Sequence, residues 1–343
     1  GLMLTTGNIE IARKVIRTMV KRLKDGLFPN TGGDSGNPAY NSVDAPLWFI
    51  WSLQELGKYA GINIWKDYSK AIKNILDCFR KGTLFNIKMQ ENGLIFSGQE
   101  GKALTWMYAL TEDGAVTPRT GMAVEINALC YNALVQSLAW AEEAGDTQFL
   151  SRWSEWPDKI KSAFLEVFWS EEDGYLADYI NGSERNMDVR PNMMIAVSLD
   201  HVMLTREMRN SVLEVVKSEL LTPRGLRTLS PKNPAYQGVY EGDQYTRDHQ
   251  YHQGTVWPWL LEHYARAYLD VNKMAGVSHI KQLLFGFEED MTEYGISTVA
   301  EIYDGDPPHR PRGAISQAWS VAALLRINEM LEKFSAENDK SNF

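Results

Sequence analysis

The chain has 343 residues, 44% hydrophobic and 23% charged, with a formal net charge of −9; this is the composition of a folded globular chain, read as one large domain over 1–343, and it excludes a disordered one. The acidic excess argues against nucleic acid as the main partner and against adsorption to anionic lipid, because both need a basic surface. No run of about 18 apolar residues is present to span a membrane, and the opening GLMLTTGN lacks the charged start and cleavage site of a signal peptide, so either the chain is cytoplasmic or its true N-terminus is missing.

A helical period dominates from the start of the chain. Over 8–24, Ile9, Ala12, Ile16, Met19 and Leu23 share one face, with Asn8 as N-cap and Gly26 as the residue after the last turn. A helix over 44–60 is apolar nearly all round, so it is expected to be buried on most sides. Residues 65–81 read as amphipathic, 124–141 as almost wholly apolar, and 149–168 as charged on one side. The series continues with an apolar helix over 191–199, an amphipathic one over 206–220, an aromatic one over 256–269, a mixed one over 277–290 and an apolar one over 314–327.

These ten helices form five pairs, each with a more buried and a more exposed member. The fold class is therefore all-α, and the alternation suggests a toroid of paired helices, with an inner ring enclosed by an outer one. An α-solenoid also stacks helix pairs, but it predicts a near-constant repeat length, and the spacings here are uneven. Long loops at 28–43, 82–121, 221–249 and 295–313 are candidates for function. Within the second, residues 85–97 read as a small β-hairpin turning at Glu91-Asn92-Gly93.

The chain contains eleven Trp and fifteen Tyr, several beside hydrogen-bonding residues, an arrangement that suits the apolar faces and hydroxylated edges of sugars but that ordinary cores also show. Cys78 and Cys130 lie in apolar helical contexts and read as buried free thiols, and no cysteine or histidine spacing suggests a metal site. Four loop clusters carry polar and aromatic residues together. The first runs from Tyr40 through Asp44 to Trp48. The second holds Thr105, Trp106, Met107 and Tyr108, then Asp113 and Arg119. The third spans Tyr240 to Gln244, including Asp243, and continues to His252, Gln253, Trp257 and Trp259. The fourth spans Glu301 to Asp306, including Asp304, and continues to His309, Arg310, Arg312, Gln317 and Trp319.

Taken in order, YNSVDAPLWF, LTWM, TPR, VEINAL, RPN, GLRTLSP, YEGDQ, YHQGTVWPWL and the EIYDGDPPHRPRG stretch resemble the C-terminal amylo-α-1,6-glucosidase domain of glycogen debranching enzymes. The likeness covers nearly the whole chain. It implies an (α/α)6 barrel and the inverting hydrolysis of the single glucose left at an α-1,6 branch of glycogen or a limit dextrin, with no cofactor. Inversion needs one carboxyl group to protonate the leaving oxygen and a second, about 6.5–9.5 Å away, to activate water. The resemblance assigns the base to Glu301. It suggests Asp44, Arg119, Asp243, Asp304 and Arg310 as groups holding glucose hydroxyls, and Trp48, Trp106, Trp257 and Trp259 as walls of the sugar site. His252 joins the substrate-binding candidates, although His252 and His309 also read as ordinary hydrogen-bonded loop histidines.

Two departures qualify the resemblance. The family pattern TWMD, whose Asp is the acid, is TWMY here, and a phenol, with an ordinary pKa near 10, donates a proton to a leaving alcohol poorly. Asp113 or Glu125 is then expected to supply the acid, or the chain hydrolyses slowly, or it binds glucan without cleaving it. The family also has a helix and a W-G-R-D stretch before the segment resembling LMLTTGN, so a ring lacking about one N-terminal helix pair is expected, its gap covered by self-association or an altered closing contact. A different toroid enzyme, such as a sugar epimerase, would need a histidine pair, which the six scattered histidines support weakly.

Overall fold

The computed structural model describes residues 1–30 and 39–341; part of the loop expected at 28–43 lies outside the described residues. The chain is mostly helical. It opens with a short helix, α1 (Leu2–Thr5), and the amphipathic α2 (Ile9–Arg22). Asn8 occupies the N-cap position of α2, but its side chain bonds to Thr6 and not to the helix. Gly26 does not close α2, which ends at Arg22; it lies at φ 79° in a tight turn between Lys24 and Leu27. A Cβ at this position would stand 2.5 Å from the Cβ of Cys78, so the glycine permits a close approach of two backbones. Cys130 is buried as expected, whereas Cys78, facing that turn, is only half-buried; both are free.

Helices α3 (Ala45–Ala60) and α4 (Ile64–Lys81) follow, the second capped by Asn63, whose side chain accepts from the Lys66 amide. Strands β1 (Lys88–Met89) and β2 (Ile95–Phe96) form the expected hairpin, and β3 (Leu110–Thr111) and β4 (Gly114–Ala115) form another. Strand β5 (Met122–Ala123) leads directly into α5 (Val124–Glu143). The one helix expected over 149–168 is two, α6 (Thr147–Trp153) and α7 (Trp156–Phe168). Pro157 sits in the first turn of α7, where its missing N–H costs nothing; in a continuous helix it would break the ladder.

Strands β6 (Trp169–Ser170) and β7 (Tyr175–Leu176) pair with each other, while β8 (Tyr179–Asn181) and β9 (Glu184–Asn186) join β5 in a three-stranded sheet. Then come α8 (Asn192–Ser198), buried at every residue, and α9 (Arg206–Glu219), buried only at Val212, Leu213 and Val216. The remaining elements are β10 (Leu221–Thr222), β11 (Gly225–Arg227), α10 (Gln244–Gln250), β12 (Val256–Trp257), α11 (Leu260–Asn272), α12 (Val277–Glu293), β13 (Ile302–Tyr303), β14 (Pro311–Arg312) and α13 (Ala318–Ser341). The aromatic helix expected from 256 therefore starts four residues later. Pro258 disfavours helical backbone at Trp257, and residues 256–257 pair instead as the middle strand of the five-stranded sheet β10-β11-β12-β13-β14. Likewise α13 starts at Ala318 and not at 314, and α10 interrupts the loop expected at 221–249.

Helix α3 packs on α5, α5 on α8, α8 on α11, α11 on α13, α13 on α1, and α1 on α3. Helices α2, α4, α6, α7, α9 and α12 pack behind members of this series. Helices α3, α5, α8 and α11 of this series are more buried than α2, α4, α7, α9 and α12 behind them, as the periodicity predicts, whereas α1 buries only Leu4 and α6 and α7 follow each other as two less buried helices.

The segment that carries Trp106 and Tyr108 is tied down by a buried ion cluster. Arg119, 4% exposed, donates from Nε to Asp178 Oδ2 at 2.7 Å and from Nη2 to Asp178 Oδ1 at 3.0 Å and to Glu125 Oε2 at 2.6 Å. Its Nη1 donates to the other Glu125 oxygen and, at 3.4 Å, to the Thr105 hydroxyl. Burial pushes the Glu125 carboxyl up against the pull of Arg119, so removing the guanidinium strands two carboxylates in a dry interior. Arg119→Met is expected to cost about 3–5 kcal/mol, read as a lowered midpoint in urea unfolding. A midpoint equal to that of the unaltered chain would contradict this account of the cluster.

Candidate active site

The five-stranded sheet brings together two parts of the chain that lie about fifty residues apart. Val256 of β12 pairs with Tyr303 of β13, which places the segment before β12 alongside the segment before β13. Those segments carry Tyr251 and Glu301. The Tyr251 hydroxyl donates to Glu301 Oε1 at 2.7 Å. The Ala314 amide donates to Oε2 at 2.9 Å, and Gln317 Nε2 reaches Oε1 at 3.4 Å. The Glu301 amide in turn donates to the Ala314 carbonyl at 2.9 Å, closing the β13–β14 hairpin around the carboxylate. Gly313 lies at φ 68°, and a Cβ there would stand 2.5 Å from Glu301 Oε2, so both the turn and the carboxylate need glycine at this position.

Tyr251 also faces Tyr108. Their ring centroids are 6.1 Å apart and nearly perpendicular, at 76°. Burial, then the hydrogen bond to Glu301 and the nearby Tyr108, push the Tyr251 phenol far up; it stays protonated and acts as a donor to Glu301. Glu301 and Tyr108, the expected base and the residue at the expected acid position, are therefore neighbours of one tyrosine. Tyr108 itself is 47% exposed. Asp113 lies elsewhere, exposed in the β3–β4 turn, where it accepts from the Tyr245 hydroxyl. Glu125, as described, is committed to Arg119.

Behind Tyr108 and Tyr251 lies a wall of stacked rings. Trp106 packs edge-on to Trp257 and Trp259 at 5.4 and 5.1 Å, and Trp259 stacks on Trp319 at 5.5 Å. Trp106 is fixed by donating from Nε1 to Asn192 Oδ1 at 2.7 Å, and Asn192 donates to Asp178 at 2.7 Å. The ring wall thus hangs from the Arg119 cluster. A cavity of about 260 Å³ is lined by Asp44, Trp48, Trp51, Trp106, Trp259 and Trp319, together with Glu262 and Arg326. Among the described residues, the indole N–H groups of Trp51, Trp259 and Trp319 and Nη1 of Arg326 are buried without a hydrogen-bond partner. All are donors packed within the walls around the cavity, whose lining also includes the carboxylates of Asp44 and Glu262. Burial raises the pKa of Asp44, whose carboxylate accepts from Ser42 at the start of α3. Arg326 also borders a second cavity of about 320 Å³ holding Glu55, Lys58 and Arg266; there Lys58 and Arg266 are paired with Glu55 and Asp200, which leaves that site little to offer an anion.

The other candidates are dispersed. Trp257 is fully buried, with its N–H bonded to Tyr251 O and Thr255 Oγ1. Asp243 caps α10 at the surface, accepting from the Thr246 amide. Asp304 is buried and held by Arg312, with Nη2 at 2.9 Å, and by the Tyr240 amide at 2.8 Å. Arg310 is exposed. All five N–H groups of Arg119 are used inside the buried cluster. His309 is a loop histidine bonded through Nδ1 to Asp304 O. His252 is not: it is fully buried, stacked on Trp257 at 5.4 Å and edge-on to Trp106, and neither ring nitrogen has a partner. Aromatic enclosure, not loop hydrogen bonding, sets its environment.

Sequence reasoning did not single out Tyr251, Trp51, Asn192 or Arg326. Tyr251 and Asn192 fall inside the quoted YHQGTVWPWL and RPN stretches, yet nothing in those stretches names their distant partners.

The sequence model of the family described as amylo-alpha-1,6-glucosidase matches residues 1–326. Among curated proteins, the chain is 25% identical over 433 residues to the glycogen debranching enzyme of Saccharomyces cerevisiae, a match covering 95% of this chain. The chain spans 28% of that relative's length. Among the described residues, no helix is long and apolar enough to cross a membrane.

The two buried histidines near the cavity give a pH test. Burial holds His252 and His263 at about 3, against 6.5 for an exposed histidine. Both are neutral in the folded chain, while the unfolded chain takes up protons as pH falls below 6.5. The stability they contribute is complete above that pH and is lost as pH falls toward about 3. Between pH 7 and 5 each is expected to cost about 2 kcal/mol. Urea unfolding should show a steeper loss in the unaltered chain than in His252→Gln/His263→Gln. Equal pH dependence of the two would count against neutral histidines in the core.

Proposed function

The chain belongs to the amylo-alpha-1,6-glucosidase family, and from that premise we propose that its aromatic cavity takes one glucose unit of a glycogen-like branched glucan while Glu301 directs a water molecule at the anomeric carbon, as in inverting hydrolysis. The observation that carries this reading is the fixed Glu301 carboxylate. Three donors hold it, one of them the tyrosine that also meets Tyr108, so its orientation is set before any substrate arrives. The indole rings lining the cavity together with the carboxylates of Asp44 and Glu262 support a sugar occupant, whose ring faces are apolar and whose hydroxyls can donate to carboxylate oxygens. The sequence of contacts α1, α3, α5, α8, α11, α13 supports reading these helices as the inner ring of an α/α toroid, with the loops at one end forming the mouth.

Proton donation is the weak step. Tyr108 stands where the family pattern has an acid, and a phenol is a poorer donor than a carboxylic acid. The engagement of Asp113 with Tyr245 and of Glu125 with Arg119 favours a second reading, in which the chain binds branched glucan and cleaves it slowly for want of an acid. The two readings share the cavity and Glu301 and differ only in the leaving-group proton.

A substrate whose leaving group needs no proton separates them. α-Glucosyl fluoride should be hydrolysed by the unaltered chain, and Glu301→Gln should abolish fluoride release while sparing glucose binding; full activity of that variant would remove Glu301 from the mechanism. Tyr108→Asp should raise glucose release from a limit dextrin by about 10²–10⁴-fold with little change in fluoride hydrolysis. No gain would mean that position 108 is not where the proton is lost. Tyr251→Phe should lower the rate of fluoride hydrolysis, with KM nearly unchanged, because it frees Glu301 without touching the cavity. A changed KM at constant kcat would instead assign Tyr251 to sugar binding.

A further inference from the structure

The outer layer of helices has a seam. Helix α2 packs on α1 and α3, α4 on α3 and α5, α9 on α8 and α11, and α12 on α11 and α13. Each of these outer helices bridges two neighbours of the inner series. Helices α13 and α1 are also neighbours, yet among the described residues no outer helix bridges them, and α12 and α2 flank the junction on either side. Of the twelve exposed large hydrophobic residues among those described, five belong to the elements around this seam. They are Met3 of α1, Ile11 and Val15 of α2, Met274 in the turn before α12, and Phe285 of α12, which is 60% exposed. Val321 and Leu325 of α13 are only half-buried. A hollow of about 370 Å³ on α2 is lined by Val15, Met19 and Phe28 among others. Isolated exposed apolar residues need no explanation, but a concentration along one side of the molecule marks an interaction surface.

The two flanks carry opposite charge. Residues 9–24 hold six basic side chains against one acidic, Glu10, in a chain whose net charge is −9. Arg13 is paired with Glu10 and Asp67, whereas Lys14, Arg17 and Lys21 are exposed and enter no ion pair among the described residues. On α12, Glu288, Glu289 and Glu293 are exposed and likewise unpaired among the described residues. We infer that the seam is a contact between two copies of this chain about a two-fold axis, with α2 of each copy lying along α12 of the other. A two-fold axis makes both contacts at once, because a face that carries a patch and its complement pairs with itself. With 14 and 17 residues, the two helices are about 21 and 26 Å long, so each can run beside the other. Phe285 then meets the hollow at Val15, and the three glutamates meet Lys14, Arg17 and Lys21. A lipid surface or a polyanion would match α2 and be repelled by α12, whereas a second copy matches both flanks. The inference does not depend on the reading of the aromatic cavity.

Sedimentation equilibrium of the full chain tests the pairing. At low salt the unaltered chain should reach the mass of two copies, and it should dissociate as salt rises, because exposed charges are screened. Lys14→Glu/Arg17→Glu and Glu288→Lys/Glu289→Lys should each weaken the pairing about tenfold or more by setting like charges against each other. The four substitutions combined in one chain should restore it, since each reversed flank again meets its complement. Phe285→Ala reverses no charge; it should weaken the pairing and keep its salt dependence, and it carries the test if a reversal unfolds the chain. A chain that stays monomeric at every concentration overturns the inference and leaves the seam to another occupant. Pairing that survives either reversal and Phe285→Ala overturns it as well, as do a folded combined variant that stays monomeric and an assembly of more than two copies.

Discussion

The hydrogen bond from Tyr251 to Glu301 is the contact on which the rest of the site depends. A glutamate side chain at a loop end loses considerable rotamer freedom when it is fixed, and here three donors and a glycine turn supply that fixation. Each comes from a different local device. The β12–β13 pairing sets the distance between the two segments, the β13–β14 hairpin presents the Ala314 amide, and Gly313 leaves space for the carboxylate. Burial keeps the Tyr251 phenol protonated, so the bond persists wherever Glu301 is ionised. A carboxylate held in this way would need little reorganisation to accept a proton from water, which is the condition for electrostatic preorganisation under the proposed reaction.

A second constraint works from below. Arg119 joins Glu125 at the start of α5 to Asp178 beside β8, and Asn192 joins Asp178 to Trp106. Buried charges of this kind stabilise a fold little in net terms and are costly to leave incomplete. Their effect here is geometric. The loop bearing Trp106 and Tyr108 cannot shift relative to α5 and α8 without exposing or unpairing a guanidinium. The aromatic wall is then rigid on its inner side and open at Tyr108. Arg119, expected from the resemblance to face a sugar, supports the site at one remove.

The helices were legible in the sequence because a period of 3.6 repeats several times within each, and the contrast between apolar and amphipathic members anticipated which would be buried. The small sheets were not, apart from the 85–97 hairpin. Strands of two or three residues are too short to show alternation, and their pairing partners lie up to about sixty residues away. That gap mattered most at 256–257, where an apolar run continuous with a helix is a strand, because Pro258 bars helical backbone before it. It is also why Tyr251 was overlooked: its role is defined by register across β12 and β13, which no local pattern encodes. Asp44, Trp48, Trp106 and Trp259 do gather around one cavity, whereas Asp243, Arg310 and Asp113 sit on the surface and His252 is sealed within the ring stack. Residue type and motif identify side chains suited to sugar; which of them face a common space depends on the loop packing.

The most direct test of the central claim is a crystal structure of the chain soaked with glucose. The account predicts a pyranose among Trp48, Trp106, Trp259 and Trp319, with a hydroxyl donating to Asp44 and its anomeric carbon turned toward Glu301, close enough for one water molecule between them. A sugar found only in the charged cavity beside Lys58 and Arg266, or seated in the aromatic cavity with its anomeric carbon away from Glu301, would contradict it.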